Sequence, residues 1–233
     1  MNEICKILWH ISDTHGLHNQ LHIPKADLVI HSGDCSNTKN AHINSNEIIQ
    51  FLEWYSQIQI PIKILIAGNH DTSIEKRLIT PEQIEDYGII YIENNTRILN
   101  INNQQIKIWA SPITPTYNQG WSWNMPRHKI HQIWQTIDPQ ADIIVTHGPP
   151  QGILDLTYDQ NNRLTMVGCK SLSNHIKRIQ PKLHLFGHVH NSSKIQHNTG
   201  TYQHQQTIYS NASCAKDGQT DKIEYHGNIL PLA

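Results

Sequence analysis

Short apolar runs rich in β-branched residues recur along the chain, and each of them ends in a cluster of polar residues. This pattern is typical of buried strands in an α/β protein. Between several of the runs lie stretches with helical periodicity, namely residues 46–57 and 171–179. Strands that alternate with helices predict an α/β core. The predicted strands are residues 4–11, 26–30, 62–67, 106–110, 142–145 and 183–186.

Two further stretches have the pattern of consecutive strands, with no helix between them. Residues 88–109 contain a turn signal at Asn102 and Asn103, and residues 194–209 have the pattern of a second antiparallel pair. Antiparallel pairs attached to an alternating α/β core predict sheets of mixed strand direction.

The segment 111–127 contains three prolines, a glycine and two tryptophans. Proline and glycine interrupt regular elements, and the aromatic residues are unusual for a plain linker, so the segment predicts a functional loop. The chain shows no internal repeat and no shift in composition that would mark a boundary. We therefore expect a single domain over residues 1–233.

Charge and histidine content narrow the classes of function. Lys plus Arg number 18 against 19 for Asp plus Glu, so the chain has no general positive field. Stable binding of long nucleic acid is not expected, because phosphate contacts dominate that affinity. The 17 histidines are the largest departure from average composition, and histidine is the commonest metal ligand. Histidines that cluster in the sequence are therefore candidate metal ligands.

The cysteines and the N-terminal residues indicate in which cellular compartment the protein is expected. Cys5, Cys35, Cys169 and Cys214 are widely separated and show no C-x-x-C spacing, so we expect free thiols and no zinc knuckle. Residues 1–9 lack the apolar core of a signal peptide, and no long uncharged apolar run occurs in the chain. The expectation is a cytoplasmic protein without a membrane segment.

Five strand ends carry residues that could hold a metal ion. Each motif alone is compatible with an ordinary turn. All five, however, follow apolar strands, and open α/β sheets bind ligands at the carboxyl ends of their strands. The order and the shared setting of the motifs predict one site. Its candidate residues are Asp13, His15, Asp34, Asn69, His70, Asp71, His147, His188 and His190.

The types of side chain in this set limit the metal. Carboxylate, imidazole and amide oxygen without thiolate suit manganese or iron, with zinc possible. So many ligands favour two divalent ions, about 3.5–4 Å apart, and a carboxylate is the group best able to bridge them. Asp34, which follows Gly33, is the candidate bridge.

The ordered motifs D-x-H, G-D, G-N-H-D, T-H-G and G-H-x-H resemble those of the calcineurin-like metallophosphoesterase superfamily. The resemblance implies that one ion is held by Asp13, His15, Asp34 and His190. It implies that the other is held by Asp34, Asn69, His147 and His188. It further implies that His70 lies outside the ligand set, beside the scissile phosphate, where it stabilises charge or protonates the leaving oxygen. Asp71 would then orient His70.

A narrower resemblance, to the metallophosphoesterase-domain-containing (MPPED) branch of class III phosphodiesterase type, covers almost the whole chain. The motif after His190, Asn191-Ser192-Ser193, departs from that branch. The resemblance implies a four-layer α-β-β-α sandwich of two mixed β-sheets, with a binuclear metal site at the carboxyl ends of the strands. The G-D-x-V-D-R-G stretch of Ser/Thr protein phosphatases is absent. The supporting motifs are Trp109-Ala110-Ser111-Pro112, residues 120–124, 146–150, 168–169, 181–188 and 211–213.

The resulting hypothesis is hydrolysis of a small phosphodiester, such as a cyclic nucleotide, by attack of a metal-bound hydroxide. A phosphomonoesterase or nuclease of the same superfamily is the enzymatic alternative. A catalytically silent metal-binding scaffold is the alternative of another class. The oligomeric state is open.

The residues expected to touch substrate each have an alternative role. Trp121 and Trp123 could stack on a base or pack into the protein. Asn37 could contact a phosphate or serve a turn, and Cys35 could touch substrate or fill space beneath the site. Asn69 and His70 complete the substrate-binding set. Histidines before the motifs, such as His10 and His31, are expected mainly to pack within the sheets.

Overall fold

The computed structural model describes residues 6–101, 104–117, 120–216 and 221–232. The predicted turn at Asn102 and Asn103 lies outside these residues. The strands in chain order are β1 (Lys6–Ile11), β2 (Leu28–His31), β3 (Ile62–Leu65), β4 (Ile90–Tyr91), β5 (Asn95–Ile101), β6 (Gln104–Ser111), β7 (Thr114–Pro115), β8 (Asn124–Met125), β9 (Ile143–Thr146), β10 (Leu156–Tyr158), β11 (Leu164–Met166), β12 (Leu183–Phe186), β13 (Gly200–His204), β14 (Thr207–Asn211) and β15 (Asn228–Leu232).

Five α-helices and one short 3-10 helix, His18–Gln20, accompany the strands in the described part of the chain. None of the helices in that part is long and apolar enough to cross a membrane. The α-helices are α1 (Ala41–Gln57), α2 (Thr72–Glu75), α3 (Pro81–Asp86), α4 (His131–Trp134) and α5 (Lys170–Ile179).

The ends of the two longest helices follow from local chemistry. Helix α1 begins at Ala41, earlier than the predicted residue 46, because the side chain of Asn40 accepts hydrogen bonds from the backbone N–H groups of His42 and Ile43. Helix α5 ends where Gln180 takes a left-handed backbone with φ 53°, and Pro181 follows.

Two mixed sheets form the centre of the fold. The first has the order β15-β1-β2-β3-β4, in which β1 to β4 are parallel and β15 pairs antiparallel with β1. The second has the order β13-β14-β12-β9-β6-β5, in which the four inner strands are parallel and the edge strands β5 and β13 are antiparallel. All six predicted strands form, and so do both predicted antiparallel pairs.

Three apolar clusters separate four layers. Alternate residues of a strand point to opposite faces, so Leu8 and Trp9 belong to different clusters. The cluster between the sheets contains Leu8 and Val145, and an outer cluster packs Trp9 against Phe51 of α1. The other outer cluster packs Phe186 of the second sheet against α4 and α5. The predicted α-β-β-α sandwich is therefore confirmed.

Parallel strands place their carboxyl ends at one edge of a sheet. In the first sheet the loops after β1, β2 and β3 share that edge, and in the second sheet the loops after β9 and β12 do. The two edges are joined where Ser12 pairs with Ser213 and where Asp13 accepts a hydrogen bond from the backbone of His188. The candidate ligands thus come from both sheets to one place.

Candidate metal centre

Main-chain hydrogen bonds fix the loops that carry the candidate ligands. The N–H of Asp13 donates to Gly33 O at 2.9 Å, and the N–H of His15 donates to Asp34 O at 3.1 Å. In the second sheet the N–H of Gly187 donates to His147 O at 2.9 Å. Each loop is therefore held against the next one before any side chain is considered.

Four candidate ligands have a left-handed backbone: Asp13 (φ 52°), His15 (φ 45°), Asp34 (φ 58°) and His188 (φ 69°). This conformation is uncommon outside glycine and costs about 1–3 kcal/mol per residue, so surrounding contacts must maintain it. At the end of a strand it turns the chain sharply and directs the side chain back across the sheet edge. Strain of this kind is concentrated at functional sites.

Two glycines allow the close approach of these loops. A Cβ atom at Gly68 would collide with the Asp34 carboxylate and lie 2.6 Å from His147 Cε1. A Cβ atom at Gly187 would collide with the side chains of Asp13 and Ser12. Glycine is required at both positions because a candidate ligand occupies the space of the missing side chain.

The first set of ligand atoms consists of Asp13, His15 and His190. Asp13 Oδ1 lies 3.0 Å from His190 Nε2 and 4.0 Å from His15 Nε2, and the two imidazole nitrogens are 3.4 Å apart. All three atoms lie within 4.8 Å of one another. Two imidazole nitrogens and a carboxylate oxygen that converge in this way fit a divalent cation.

The second set consists of Asp34, His147 and His188, whose ligand atoms also lie within 4.8 Å of one another. His147 Nε2 is 3.3 Å from Asp34 Oδ2 and 2.9 Å from Asn69 Oδ1. Asp34 also forms a third group with His15 and His70, whose ligand atoms lie within 4.8 Å of one another, so its carboxylate lies close to residues of both sets. The role of Asp34 as a bridge between two ions stays a prediction.

Backbone carbonyls hold the other nitrogens of two of the histidines. His15 Nδ1 donates to Ser36 O at 3.2 Å, and His147 Nδ1 donates to Ser32 O at 3.0 Å. A carbonyl accepts but cannot donate, so it keeps the proton on Nδ1 and leaves Nε2 available for a metal ion.

Burial and the neighbouring charges shift the pKa values of these groups. Burial alone would raise the pKa of Asp13 and Asp34, yet His190 beside Asp13 and His147 beside Asp34 hold both pKa values below their usual range. Burial would lower the pKa of His147, but the Asp34 carboxylate outweighs it and raises that pKa to about 9. Burial lowers the pKa of His188 to about 3. The carboxylates are therefore anionic and His188 is neutral, whereas His147 carries a proton that a bound cation would have to displace.

His70 lies next to both sets, and the residue that orients its ring is not the predicted one. His70 Nδ1 donates to the backbone oxygen of Asn37 at 2.9 Å. The prediction that Asp71 orients this ring was wrong, because the buried Asp71 carboxylate faces the other way. It accepts hydrogen bonds from Asp34 N, Cys35 Sγ, Ser36 N, Ser36 Oγ and Gly68 N.

A family of known proteins matches most of the chain, including both ligand sets. Residues 7–192 match the family described as calcineurin-like phosphoesterase. The chain belongs to this family. The family is metal-dependent and hydrolyses phosphoric esters, which agrees with the ligand sets at the sheet edge.

Named relatives place this calcineurin-like phosphoesterase in the MPPED branch. It is 30% identical to human metallophosphoesterase domain-containing protein 1 over 227 residues, which cover 87% of this chain and 64% of the human protein. It is 28% identical to the UPF0046 protein K07C11.7 of Caenorhabditis elegans over 217 residues, which cover 90% of this chain and 70% of that protein. The chain spans less than two thirds of the length of the human relative.

Solved structures share the fold at low identity. The calcineurin-like phosphoesterase superimposes on TT1561 of Thermus thermophilus with a TM-score of 0.57 and 13% identity, over 90% of this chain and 91% of that one. It superimposes on phosphopantetheinyl hydrolase of Mycobacterium tuberculosis with a TM-score of 0.58 and 14% identity, over 89% and 88%. These likenesses concern the fold alone.

A cavity of about 470 Å³ opens over the ligand cluster of this phosphoesterase. Its metal side is lined by His15, Asp34, Asn69, His70, His188 and His190. The rest of its lining, which we call the wall, is mostly apolar and includes residues of the β10–β11 hairpin and the loop after His190. Sequence reasoning missed this wall, although the apolar residues on either side of the polar stretch 159–163 could have indicated a hairpin. The wall residues are Pro115, Tyr117, Arg127, Gly148, Pro149, Leu156, Thr157, Val167, Gly168, Val189, Ser192 and Ile195.

The residues predicted to touch substrate separate into two groups. Trp123 and Cys35 are 6% and 0% exposed and belong to the outer cluster of the first sheet, which fits the packing role that the sequence left open for them rather than contact with substrate. Asn37 is exposed and acts through its backbone oxygen on His70. Trp121 is half-buried, and its ring lies against His70.

Several buried histidines outside the ligand set make hydrogen bonds as well as packing contacts. His10 lies 2.7 Å from Ser210 Oγ and 2.9 Å from Ser32 Oγ, so it connects the two sheets. His31 Nε2 lies 3.0 Å from Thr14 Oγ1. The expectation of simple packing was incomplete, because a buried imidazole needs polar partners.

Proposed function

We propose that this chain is a metal-dependent phosphodiesterase that hydrolyses a small, cyclic nucleotide-like phosphodiester. The observation that carries the proposal is the meeting of two ligand sets at Asp34 on the floor of a cavity that His70 also lines. Two ligand sets with the Asp34 carboxylate close to both support two cations, and a cavity of about 470 Å³ is the size of a small-molecule site.

Two divalent ions complete the proposed site. One would be held by Asp13, His15, Asp34 and His190, and the other by Asp34, Asn69, His147 and His188. When bound, the ions would activate water and neutralise charge on the phosphate. The thiolate-free ligand set supports manganese or iron, with zinc possible.

His70 is the proposed general acid. Asn37 O keeps the proton on Nδ1, so Nε2 is the nitrogen that can face a substrate. The acid is the imidazolium form of His70, with Nδ1–H on Asn37 O and a second proton on Nε2. As the bond between phosphorus and the leaving oxygen breaks, its electron pair stays on that oxygen, which takes the Nε2 proton and leaves His70 as neutral imidazole. General acid help of this kind is typically worth about 10² to 10⁴ in rate.

The cavity wall favours a diester substrate that carries an uncharged, apolar group. Arg127 is the one Lys or Arg among the described residues that line the cavity. Its guanidinium donates to Gly168 O at 3.0 Å and to Val167 O at 2.7 Å, and so it holds the loop that follows β11. A phosphomonoester dianion or a long nucleic acid would be better matched by several cationic side chains.

The test is turnover by metal-stripped protein reconstituted with manganese, iron or zinc in turn. We expect bis(p-nitrophenyl) phosphate to be hydrolysed faster than p-nitrophenyl phosphate, and a panel of 2′,3′- and 3′,5′-cyclic nucleotides to contain a substrate. Preference for the monoester would replace the proposal with a phosphomonoesterase. Bound metal without turnover of any ester would replace it with a silent scaffold.

A further inference from the structure

One face of the His70 ring is covered by an aromatic residue that belongs neither to the ligand sets nor to the cavity lining. The ring centroids of His70 and Trp121 are 4.0 Å apart and their planes are inclined by 38°. We propose that Trp121 is a positioning residue, which holds the plane of the His70 imidazole so that Nε2 is aimed at the leaving oxygen. This inference rests on the proposed function of His70.

The hydrogen bond to Asn37 cannot orient the ring by itself. It fixes Nδ1 but leaves the imidazole free to rotate about the N–H···O axis, and the χ2 torsion of histidine has only a broad preference. The His15 ring meets His70 edge-on, with centroids 4.6 Å apart and planes at 78°. The flat face of Trp121 prevents the remaining rotation about the N–H···O axis, because rotating the imidazole would drive its edge into the indole.

Trp121 can act in this way because its own loop is anchored on both sides of the contact. The N–H of Ser122 donates to Asn69 O at 3.3 Å, which ties the loop to the residue before His70. Trp123 is 6% exposed in the outer cluster, and its backbone N–H donates to Glu75 Oε1 at 2.6 Å. Lys39 Nζ lies 4.4 Å from the centroid of the Trp121 ring. The indole is therefore placed by the fold before a substrate arrives.

This role differs from that of a platform on which a substrate base stacks. A platform contributes binding energy, so its loss raises KM. A positioning residue acts on the proton transfer, so its loss lowers kcat and leaves KM nearly unchanged. The loss should also depend on the leaving group, because p-nitrophenolate departs without a proton whereas a ribose alkoxide needs one.

The kinetic experiment compares Trp121→Ala with Trp121→Phe on the manganese-reconstituted protein. For a 2′,3′-cyclic nucleotide we expect kcat to fall about tenfold in Trp121→Ala, less than the full loss of a general acid, with KM within about twofold. For bis(p-nitrophenyl) phosphate we expect kcat within about twofold. Trp121→Phe keeps a flat ring and should retain most of the activity. A rise in KM with kcat unchanged would overturn the inference in favour of a platform.

A double-mutant cycle separates this inference from the proposed function. If Trp121 acts through His70, Trp121→Ala should have no further effect in the His70→Ala background. Independent, multiplicative losses would overturn the positioning role. Full kcat of His70→Ala on the cyclic nucleotide would instead overturn the proposed acid. Loss in His70→Ala together with full activity in Trp121→Ala would remove the positioning role alone.

A second readout needs neither metal nor turnover. In the metal-free protein, the Cε1–H resonance of His70, assigned through His70→Ala, should be displaced by the ring current of Trp121 and should move in Trp121→Ala. The matched control is Trp54→Ala, since Trp54 packs on His18 with centroids 5.0 Å apart and neither residue lines the cavity. That change should move the His18 resonance and leave His70 and kcat unchanged. An unmoved, equally ordered His70 resonance in Trp121→Ala would overturn the inference even without a known substrate.

Discussion

The carboxylate of Asp13 accepts a hydrogen bond from the backbone N–H of His188 at 2.8 Å, and this bond joins the first sheet to the second. The same Oδ2 atom accepts from Ser213 Oγ at 3.0 Å, whereas Oδ1 faces His190. One buried side chain therefore serves both the fold and the proposed metal centre.

This double role predicts different consequences for two substitutions of Asp13. Asp13→Ala leaves the His188 N–H without its acceptor, whereas Ser213 Oγ can still donate to Asn211 Oδ1, so the free energy of unfolding of the metal-free protein should fall by about 1–3 kcal/mol. Asp13→Asn keeps an acceptor oxygen and should lose less than half of that, while both variants lose bound metal. Urea unfolding and elemental analysis measure the two effects. Equal stability of the two variants would refute the structural role.

Replacement of His70 should separate catalysis from metal binding. We expect His70→Ala to retain its metal and to lose about 10² to 10⁴ in kcat on a diester with a poor leaving group. Asp34→Ala should lose metal as well, because the Asp34 carboxylate lies close to residues of both ligand sets. Elemental analysis of both variants is the check, and equal metal loss would contradict the separate roles.

Asp71 should behave as a structural residue, because its carboxylate fixes the loops on which Asp34 and Gly68 lie. Asp71→Ala leaves several buried donors unsatisfied, so we expect the free energy of unfolding to fall by at least about 3 kcal/mol. Asp71→Asn should be milder. Thermal and urea unfolding provide the measurement. A fully stable Asp71→Ala with the kinetics of His70→Ala would restore the orienting role that the structure assigns to Asn37.

Acid should destabilise the protein partly through His184. Burial lowers the pKa of His184 from 6.5 to about 3, so below pH 6.5 the unfolded chain binds a proton that the folded chain does not. The free energy of unfolding therefore falls as the pH decreases from 6.5 towards 3, and His184 contributes about 2 kcal/mol of this fall by pH 5.

His184→Gln removes this titration and can keep a polar contact to Thr146, whose Oγ1 lies 3.0 Å from His184 Nε2. With both proteins metal-free, the variant should lose less stability between pH 7 and pH 5 than the parent chain. Urea unfolding at pH 7, 6 and 5 is the measurement. Parallel pH dependence of the two proteins would show that His184 does not contribute.

The grouping of the candidate ligands at one sheet edge could be predicted because its signals are local. Each ligand directly follows an apolar strand, and parallel strands bring their carboxyl ends together, as Asp13 and Asp34 show. The partner of His70 could not be predicted from spacing. The left-handed backbone of Asp34 redirects the following turn, so that Asn37 O reaches the ring whereas the adjacent Asp71 turns inward.

The different positions of the two tryptophans of the loop could not be predicted from the sequence either. Trp121 and Trp123 are equivalent in the sequence pattern, since both are alternate aromatic residues among turn formers. Their positions differ because Trp123 has a φ of 55° and its backbone N–H donates to the Glu75 carboxylate. That geometry sends one indole into the outer cluster and leaves the other against His70. Only tertiary contacts decide which of the two is buried.

Each proposed ion draws its ligands from both sheets: Asp13 and His15 meet His190, and Asp34 meets His147. An ion bound there is a crosslink between the two halves of the sandwich. By mass action, each ion present at a hundred times its dissociation constant adds about 2.7 kcal/mol to the free energy of unfolding. Metal supply would thus govern how long the folded chain survives proteases in the cell, besides whether it can turn over substrate.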